Sequence, residues 1–303
     1  MAVHDYLMKM KRMIKKFFTD REKVAVIIFL APSLIGFSMF FFIPFVMGIY
    51  YSFVDSIFEP AFAGIRNYLD LFASDSFKIA GENSLKFTAL CVPLNMVLSF
   101  CLALLVNQKI YFKNTLRMLL VTPLVVPVAS VVLFWQIVMD ANGTLNYYIA
   151  NFGGQPIDWL KSDWAMLVIV VIYLWKNIGY SLILFLAGLQ NIPAEYYESA
   201  CIDGAGAWKK LTKITIVYIV PTAFFVFIMS ILNSFKVFRE VYLMTGDYPS
   251  DSIYLLQHYM NNTFASLDFQ KLTSAAVVMA AIIYSLVLVL FRFERKLGEN
   301  IIG

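Results

Sequence analysis

The chain has 303 residues, 60% of them apolar and 17% aromatic, with a mean hydropathy of +0.73. Soluble domains hold roughly 45–50% apolar residues, so a soluble globular protein is excluded. The net charge of +4 gives no ground for nucleic-acid binding, and its distribution is a record of topology instead.

Charged residues make up 15% of the chain and cluster between apolar runs. The runs reach about 20 residues or more, the length a helix needs to cross a bilayer. Only helices and closed barrels satisfy their backbone groups in lipid, and barrel strands would read as ten-residue alternations. The expected fold is therefore all-α and integral to the membrane, with membrane lipid as its solvent.

Residues 1–23 are basic and amphipathic, with Lys9, Lys11, Arg12, Lys15, Lys16, Arg21 and Lys23. Two readings stand: a segment lying on an anionic membrane surface, or a solvated tail that fixes orientation. The apolar run behind it is too long, and lacks the small-residue site, for a cleaved signal. A transmembrane domain is expected over 24–292, followed by a short tail, 293–303.

Six spans are predicted. The first covers 24–50 and carries Pro32 and Pro44, so a kink is expected. A polar segment, 55–82, leads to the second span, 84–106. A short basic loop, 107–117, precedes the third span, 116–139, which contains Pro123 and Pro127. Residues 140–163 are polar and glycine-bearing. The fourth span is 164–186 and the fifth 214–235, with Pro221 expected to break it near its start. Residues 236–271 read as an extramembrane segment, and the sixth span is 272–291.

Basic residues divide unevenly between the two sides. The tail, the 107–117 loop, the 189–213 loop and the C-terminus hold sixteen; the other three segments hold six, namely Arg66, Lys78, Lys161, Lys236, Arg239 and Lys271. The positive-inside rule then places both termini and the 189–213 loop in the cytoplasm.

That loop is the most informative stretch. Pro193 and Ala194 suit the first turn of a helix, and Glu195 and Glu198 place negative charge near its N-terminus. Asp203-Gly204 is a turn signal, because glycine reaches positive φ without steric cost. Lys209, Lys210 and Lys213 follow. The residues alone leave an ordinary loop and a functional one about equally balanced.

Chemistry inside the spans is sparse. Cys91 and Cys101 fall about 15 Å apart on one predicted helix and cannot bridge. His4 and His258 are isolated, so no metal site and no catalytic constellation is expected. No phosphate-binding GxxxxGK[ST] stretch occurs. Lys176 is the sharpest feature, because an ionisable residue at mid-span ordinarily faces a cavity or a partner. Asn177, Tyr180 and Ser181 lie beside it. Ser230, Asn233 and Ser234 share one face of the fifth span. Two readings stand for Ser230 and Ser234, interhelical hydrogen bonding or contact with a solute.

Glu198-Ser199-Ala200, Asp203-Gly204-Ala205, Ile214 and Pro221 together resemble the EAA motif of bacterial ABC importer permeases. Ser199 departs from the small Ala usual there. The resemblance extends over nearly the whole chain. It includes Leu30-Ala31-Pro32-Ser33-Leu34, Gly64-Ile65-Arg66-Asn67-Tyr68, Asn142-Gly143-Thr144-Leu145-Asn146, the run from Leu184 to Pro193, and Thr263-Phe264-Ala265. Carbohydrate and glycerol-phosphate importer permeases are the most similar, without the large extracytoplasmic insertion of the larger maltose permease.

The resemblance implies a type I ABC importer permease with six helices in a bacterial plasma membrane. It implies a second homologous permease, two ATPase subunits that bind ATP and Mg, an extracytoplasmic solute-binding protein and a carbohydrate-type solute. Glu195, Glu198, Ala200, Asp203, Gly204 and Ala205 would form the coupling contact with an ATPase. Lys176, Asn177, Tyr180, Ser230, Asn233 and Ser234 would line the solute path. No enzymatic activity and no bound cofactor of its own are implied. An ion-coupled carrier would instead call for buried carboxylates, which the expected spans do not contain; a membrane enzyme would call for a catalytic cluster.

Overall fold

The structure is a computed structural model that describes residues 21–302 apart from 57 and 109–110, with side chains over 25–293. The basic segment over 1–20 lies outside the described residues. Among the described residues six helical segments are long and apolar enough to cross a membrane, beginning with Ala25–Tyr51 and ending with Phe269–Phe293.

The first span comprises α1 (Arg21–Phe37) and α2 (Ile43–Tyr51), joined by a π-helical turn at Ser38–Phe42. Pro32 sits inside α1 without ending it. The irregularity falls at Pro44, near the start of α2, where the missing N–H cannot continue the preceding turn. A short helix, α3 (Arg66–Ala73), follows, anchored by buried Asn67. Its Nδ2 donates to the carbonyls of Ser52 and Val54 at 3.0 and 2.8 Å.

The second span is α4 (Asp75–Asn107), which starts nine residues earlier than its apolar run suggests. Ser74 caps it by accepting from Phe77 N–H, so the polar first turns extend beyond the apolar stretch. The third span is split into α5 (Lys113–Val125) and α6 (Val128–Met139). Pro123 is tolerated inside α5, whereas Val126, at φ −69° and ψ 130°, is extended. Pro127 is the reason, because the residue before a proline is pushed out of the helical region.

Beyond α7 (Thr144–Asn151), the fourth span is α8 (Ala165–Gln190), about 39 Å long at 1.5 Å per residue. Two short helices, α9 (Ala194–Ile202) and α10 (Ala207–Lys210), lead through a π-helical turn at Leu211–Thr215 into α11 (Ile216–Phe235). Pro221 lies within α11 and does not break it, contrary to the expectation from sequence; the irregular turn precedes it. After a turn at 236–237 the helical run continues into α12 (Phe238–Thr245), within the segment read from sequence as extramembrane. Finally α13 (Leu256–Ala265) precedes α14 (Phe269–Ile302), which continues as helix into the expected C-terminal tail.

Helices α4, α8 and α11 form the centre, with α5 against α8 and α14 against α2 and α3. Two apolar clusters hold the centre together. One joins Phe87, Cys91, Ile169, Tyr173 and Ile231; the other joins Ala103, Val106, Leu182, Phe185, Leu186 and Val226. Between them lies a buried polar knot. Asn95 Nδ2 donates to Ser181 Oγ at 2.7 Å and to Ser230 Oγ at 2.9 Å, and Tyr173 O–H donates to the Ser230 carbonyl at 2.8 Å. Asn95 therefore ties all three central helices at one level.

Close backbone approach also needs small residues. A Cβ on Gly179 of α8 would stand 2.0 Å from the Leu120 carbonyl oxygen of α5, and one on Gly188 would stand 2.5 Å from Thr222 Oγ1 of α11. These glycines set how near α5 and α11 come to α8.

Candidate functional site: a polar cavity and an exposed loop

A cavity of about 490 Å³ opens beside α8. One wall is the break between α5 and α6, at Val126, Pro127 and Val128. Interrupted helix at membrane depth survives where its freed backbone groups line a cavity, which is the arrangement here. Lys176, Asn177 and Tyr180 supply the α8 wall. Asn233, Lys236, Arg239 and Glu240 supply the wall from α11 and α12.

Four of the residues singled out in the sequence, Lys176, Asn177, Tyr180 and Asn233, thus meet at one cavity. The other two do not. Ser230 and Ser234 are each 2% exposed and point into the protein. Ser230 Oγ accepts from Asn95, and Ser234 Oγ is hydrogen-bonded to Thr88 Oγ1 at 3.0 Å. Their place on α11 is right, but their face packs on α4, so interhelical bonding is the reading their surroundings support.

Lys176 forms an ion pair with Glu240. The Glu240 side chain is 4% exposed, and its Oε2 has no hydrogen-bond partner among the described residues. The expected spans themselves hold no carboxylate; this one lies just beyond the fifth and is nonetheless buried. Glu240 reads as solvent-exposed in sequence because Lys236, Arg239 and Glu240 follow one another closely; α12 turns it onto Lys176. The carboxylate is matched by a lysine, so the pair is internally neutral. Asn177, on the cavity wall, donates from Nδ2 to the Tyr173 carbonyl at 2.8 Å. Lys236 Nζ donates to Asn233 Oδ1 at 3.0 Å.

The loop over 189–213 has the expected helix, bend and second helix. Pro193 precedes α9, and Glu195 stands in its first turn. The helix ends in a Schellman arrangement: Ala205 N–H reaches the Ala200 carbonyl at 2.8 Å, and Gly204 N–H reaches the Cys201 carbonyl at 3.0 Å. Gly204 adopts φ +73°, the conformation the turn signal called for. Glu195, Glu198, Asp203 and Gly204 are exposed, with Ala200 and Ala205 half-buried. Ile202 and Trp208 project beside them, 88% and 76% exposed. Tyr197 O–H, bonded to Thr215 Oγ1 at 2.9 Å, and buried Ile192 hold this loop to the spans.

Comparison with known proteins places the chain. The family described as the binding-protein-dependent transport system inner membrane component matches residues 95–300. A probable ABC transporter permease of Pyrococcus horikoshii is 31% identical over 276 residues, covering 88% of this chain and 93% of the relative. The trehalose/maltose transport system permease protein MalF of Thermococcus litoralis is 26% identical, covering 78% of this chain and 81% of its own length. In fold, the chain resembles one in the crystal structure of a bacterial ABC transporter involved in import of the acidic polysaccharide alginate. The TM-score there is 0.82 at 22% identity, with 94% of this chain and 99% of that chain covered. Six apolar helices, a cavity at a broken span and these matches lead to one conclusion: this multi-pass membrane protein belongs to the binding-protein-dependent transport system inner membrane components, the permease subunits of ABC transporters.

Proposed function

We propose that this chain is one of two permease halves of an importer that moves a carbohydrate or related polyol-derived solute, received from an extracytoplasmic binding protein. The observation that carries this reading is the convergence of Lys176, Asn177, Tyr180 and Asn233 on one cavity against the break in the third span. Amides and a phenol match solute hydroxyls, and the tyrosine ring offers a face to a sugar ring. Relatives named for trehalose/maltose and sn-glycerol-3-phosphate transport support the same solute class.

Energy would enter through the exposed loop. Glu195, Glu198, Ala200, Asp203, Gly204 and Ala205 form the surface that meets an ATPase subunit, which holds ATP and Mg. Closure of the two ATPases would draw the coupling helices of both permeases together and turn the cavity outward. The sixteen-to-six division of basic residues supports a cytoplasmic place for that loop and both termini.

The test is reconstitution of the chain with its partner permease, ATPases and binding protein in proteoliposomes. Sugar uptake should require both ATP and the loaded binding protein. A single cysteine at Gly153 should react with an impermeant thiol reagent from outside, and one at Ala207 only after the membrane is opened. ATP-independent uptake, or labelling of Ala207 from outside, overturns the assignment.

A further inference from the structure

We infer that the solute carried by this subunit is anionic, and that Lys236 and Arg239 are the groups that select its charge. The inference deepens the carbohydrate reading above and rests on it for the rest of the solute's chemistry. Four charged residues line the cavity: Lys176, Lys236, Arg239 and Glu240. Lys176 and Glu240 neutralise each other. Lys236 and Arg239 remain, and neither takes part in an ion pair among the described residues. Lys236 is held only by the neutral Asn233 amide. The cavity therefore carries two uncompensated positive charges.

A second cavity, of about 430 Å³, lies beside α13 and is lined by the same two residues with Gln257, Asn261 and Phe264. Among the described residues no carboxylate lines it. Lys236 and Arg239 are three residues apart and stand at the wall shared by both spaces, where a solute passing from one to the other would meet both. Two cations on the wall of a solute path lack a counter-charge there, and a negative group on the cargo provides one. Cavity walls of one sign also raise the local concentration of the opposite ion. The surrounding amides of Asn177, Asn233, Gln257 and Asn261 fit hydroxyls. The cargo class is thus a hydroxyl-rich anion: a sugar acid, sugar phosphate or sulfonated sugar.

The field can be read without knowing the cargo. In the assembled transporter, with Cys91→Ala, Cys101→Ser and Cys201→Ser, the variant Met229→Cys on the cavity wall is modified by two thiosulfonates. One reagent carries a sulfonate and the other a trimethylammonium group. A nearby positive potential also favours thiolate formation, but that affects both reagents equally, so their rate ratio reports the field. The sulfonate should react about tenfold faster, and Lys236→Gln with Arg239→Gln should bring the ratio toward one; each single variant should lie between. Equal rates, or a faster cation, in the parent overturn the inference, because carboxylates of the second permease would then balance the lysine and arginine. A preference abolished by adding phosphatidylglycerol to phosphatidylcholine proteoliposomes also overturns it, since the groups would then hold lipid headgroups.

A second arm offers the cognate binding protein matched pairs by calorimetry: glucose and glucuronate, galactose and galacturonate, glucose and glucose 6-phosphate. Uptake of an acidic member, with KM raised tenfold or more in the double variant, supports the inference. Uptake of a neutral member unaffected by the double variant overturns it while leaving the carbohydrate reading intact. A binding protein loaded only by non-carbohydrate solutes overturns the carbohydrate reading instead, and the reagent ratio still decides the charge.

Discussion

Lys176 on α8 and Glu240 on α12 are 64 residues apart in sequence and meet as a buried ion pair on the cavity wall. The pair joins the fourth span to α12, the short helix that follows the fifth. It also removes two of the four charges that would otherwise face the cavity, so its integrity bears on packing and on solute recognition together.

Removing one partner of a buried pair strands the other charge, at a cost of about 3–5 kcal/mol. Lys176→Met and Glu240→Leu should each lower the thermal unfolding temperature and the yield of assembled transporter. The double variant should recover much of that loss, because nothing charged is left buried, yet still transport differently from the parent. Additive single effects in a double-mutant cycle would show that the two residues are not coupled.

Gly179 is a steric requirement at the α5–α8 crossing. Gly179→Ala places a methyl group where the Leu120 carbonyl and Val121 Cα already stand, at 2.0 and 2.9 Å. The helices must part, which typically costs about 1–3 kcal/mol. Thermal unfolding in detergent should report that drop, while Gly81→Ala, with nothing within 4 Å of its Cβ, should be silent.

Gly204 tests the coupling loop through the backbone alone. No atom lies within 4 Å of its Cβ position, so substitution brings no clash; only the φ of +73° resists a side chain. Asn tolerates this region and a β-branched residue does not. Gly204→Asn should keep ATP hydrolysis responsive to the loaded binding protein. Gly204→Val should insert and pair with its partner permease but lose that response. Equal behaviour of the two variants would separate the bend from coupling.

His258 gives the loop region a pH dependence. Its ring is buried against Phe238 and Tyr254, and Nδ1 accepts from Leu255 N–H at 3.3 Å. Burial pushes its pKa down to about 4, with a small opposing effect from the Asp247 carboxylate. The unfolded imidazole titrates near 6.5, so the unfolded chain takes up a proton that the folded chain refuses. Stability from this group is full above pH 6.5. It falls by up to about 1.4 kcal/mol per pH unit as the pH drops toward 4. The difference in unfolding temperature between the parent and His258→Gln should therefore shrink from pH 7.5 to pH 5; a constant difference would mean the ring is not buried neutral.

Much of this protein is legible in one dimension because the bilayer imposes a simple rule. A run of apolar residues must be helix, so composition determined the number and order of the spans. Local chemistry determined the loop over 189–213 as well: a proline before α9, an acid in its first turn and a glycine at positive φ need no distant partner. The effect of Pro127 is equally local, but the sequence does not distinguish it from Pro123 or Pro221, which their helices accommodate.

What depended on partners far along the chain was not legible. Ser230, Asn233 and Ser234 share a stretch of one helix, and only the packing of α4 against α11 sends the two serines into a buried knot while leaving the asparagine on the cavity. Glu240 follows two basic residues and looks solvent-bound until α12 turns it onto Lys176. Hydropathy averages over neighbours in sequence and is blind to a charge matched from another helix. Those residues' roles were decided by tertiary structure, because burial and pairing are properties of the contact and not of the residue.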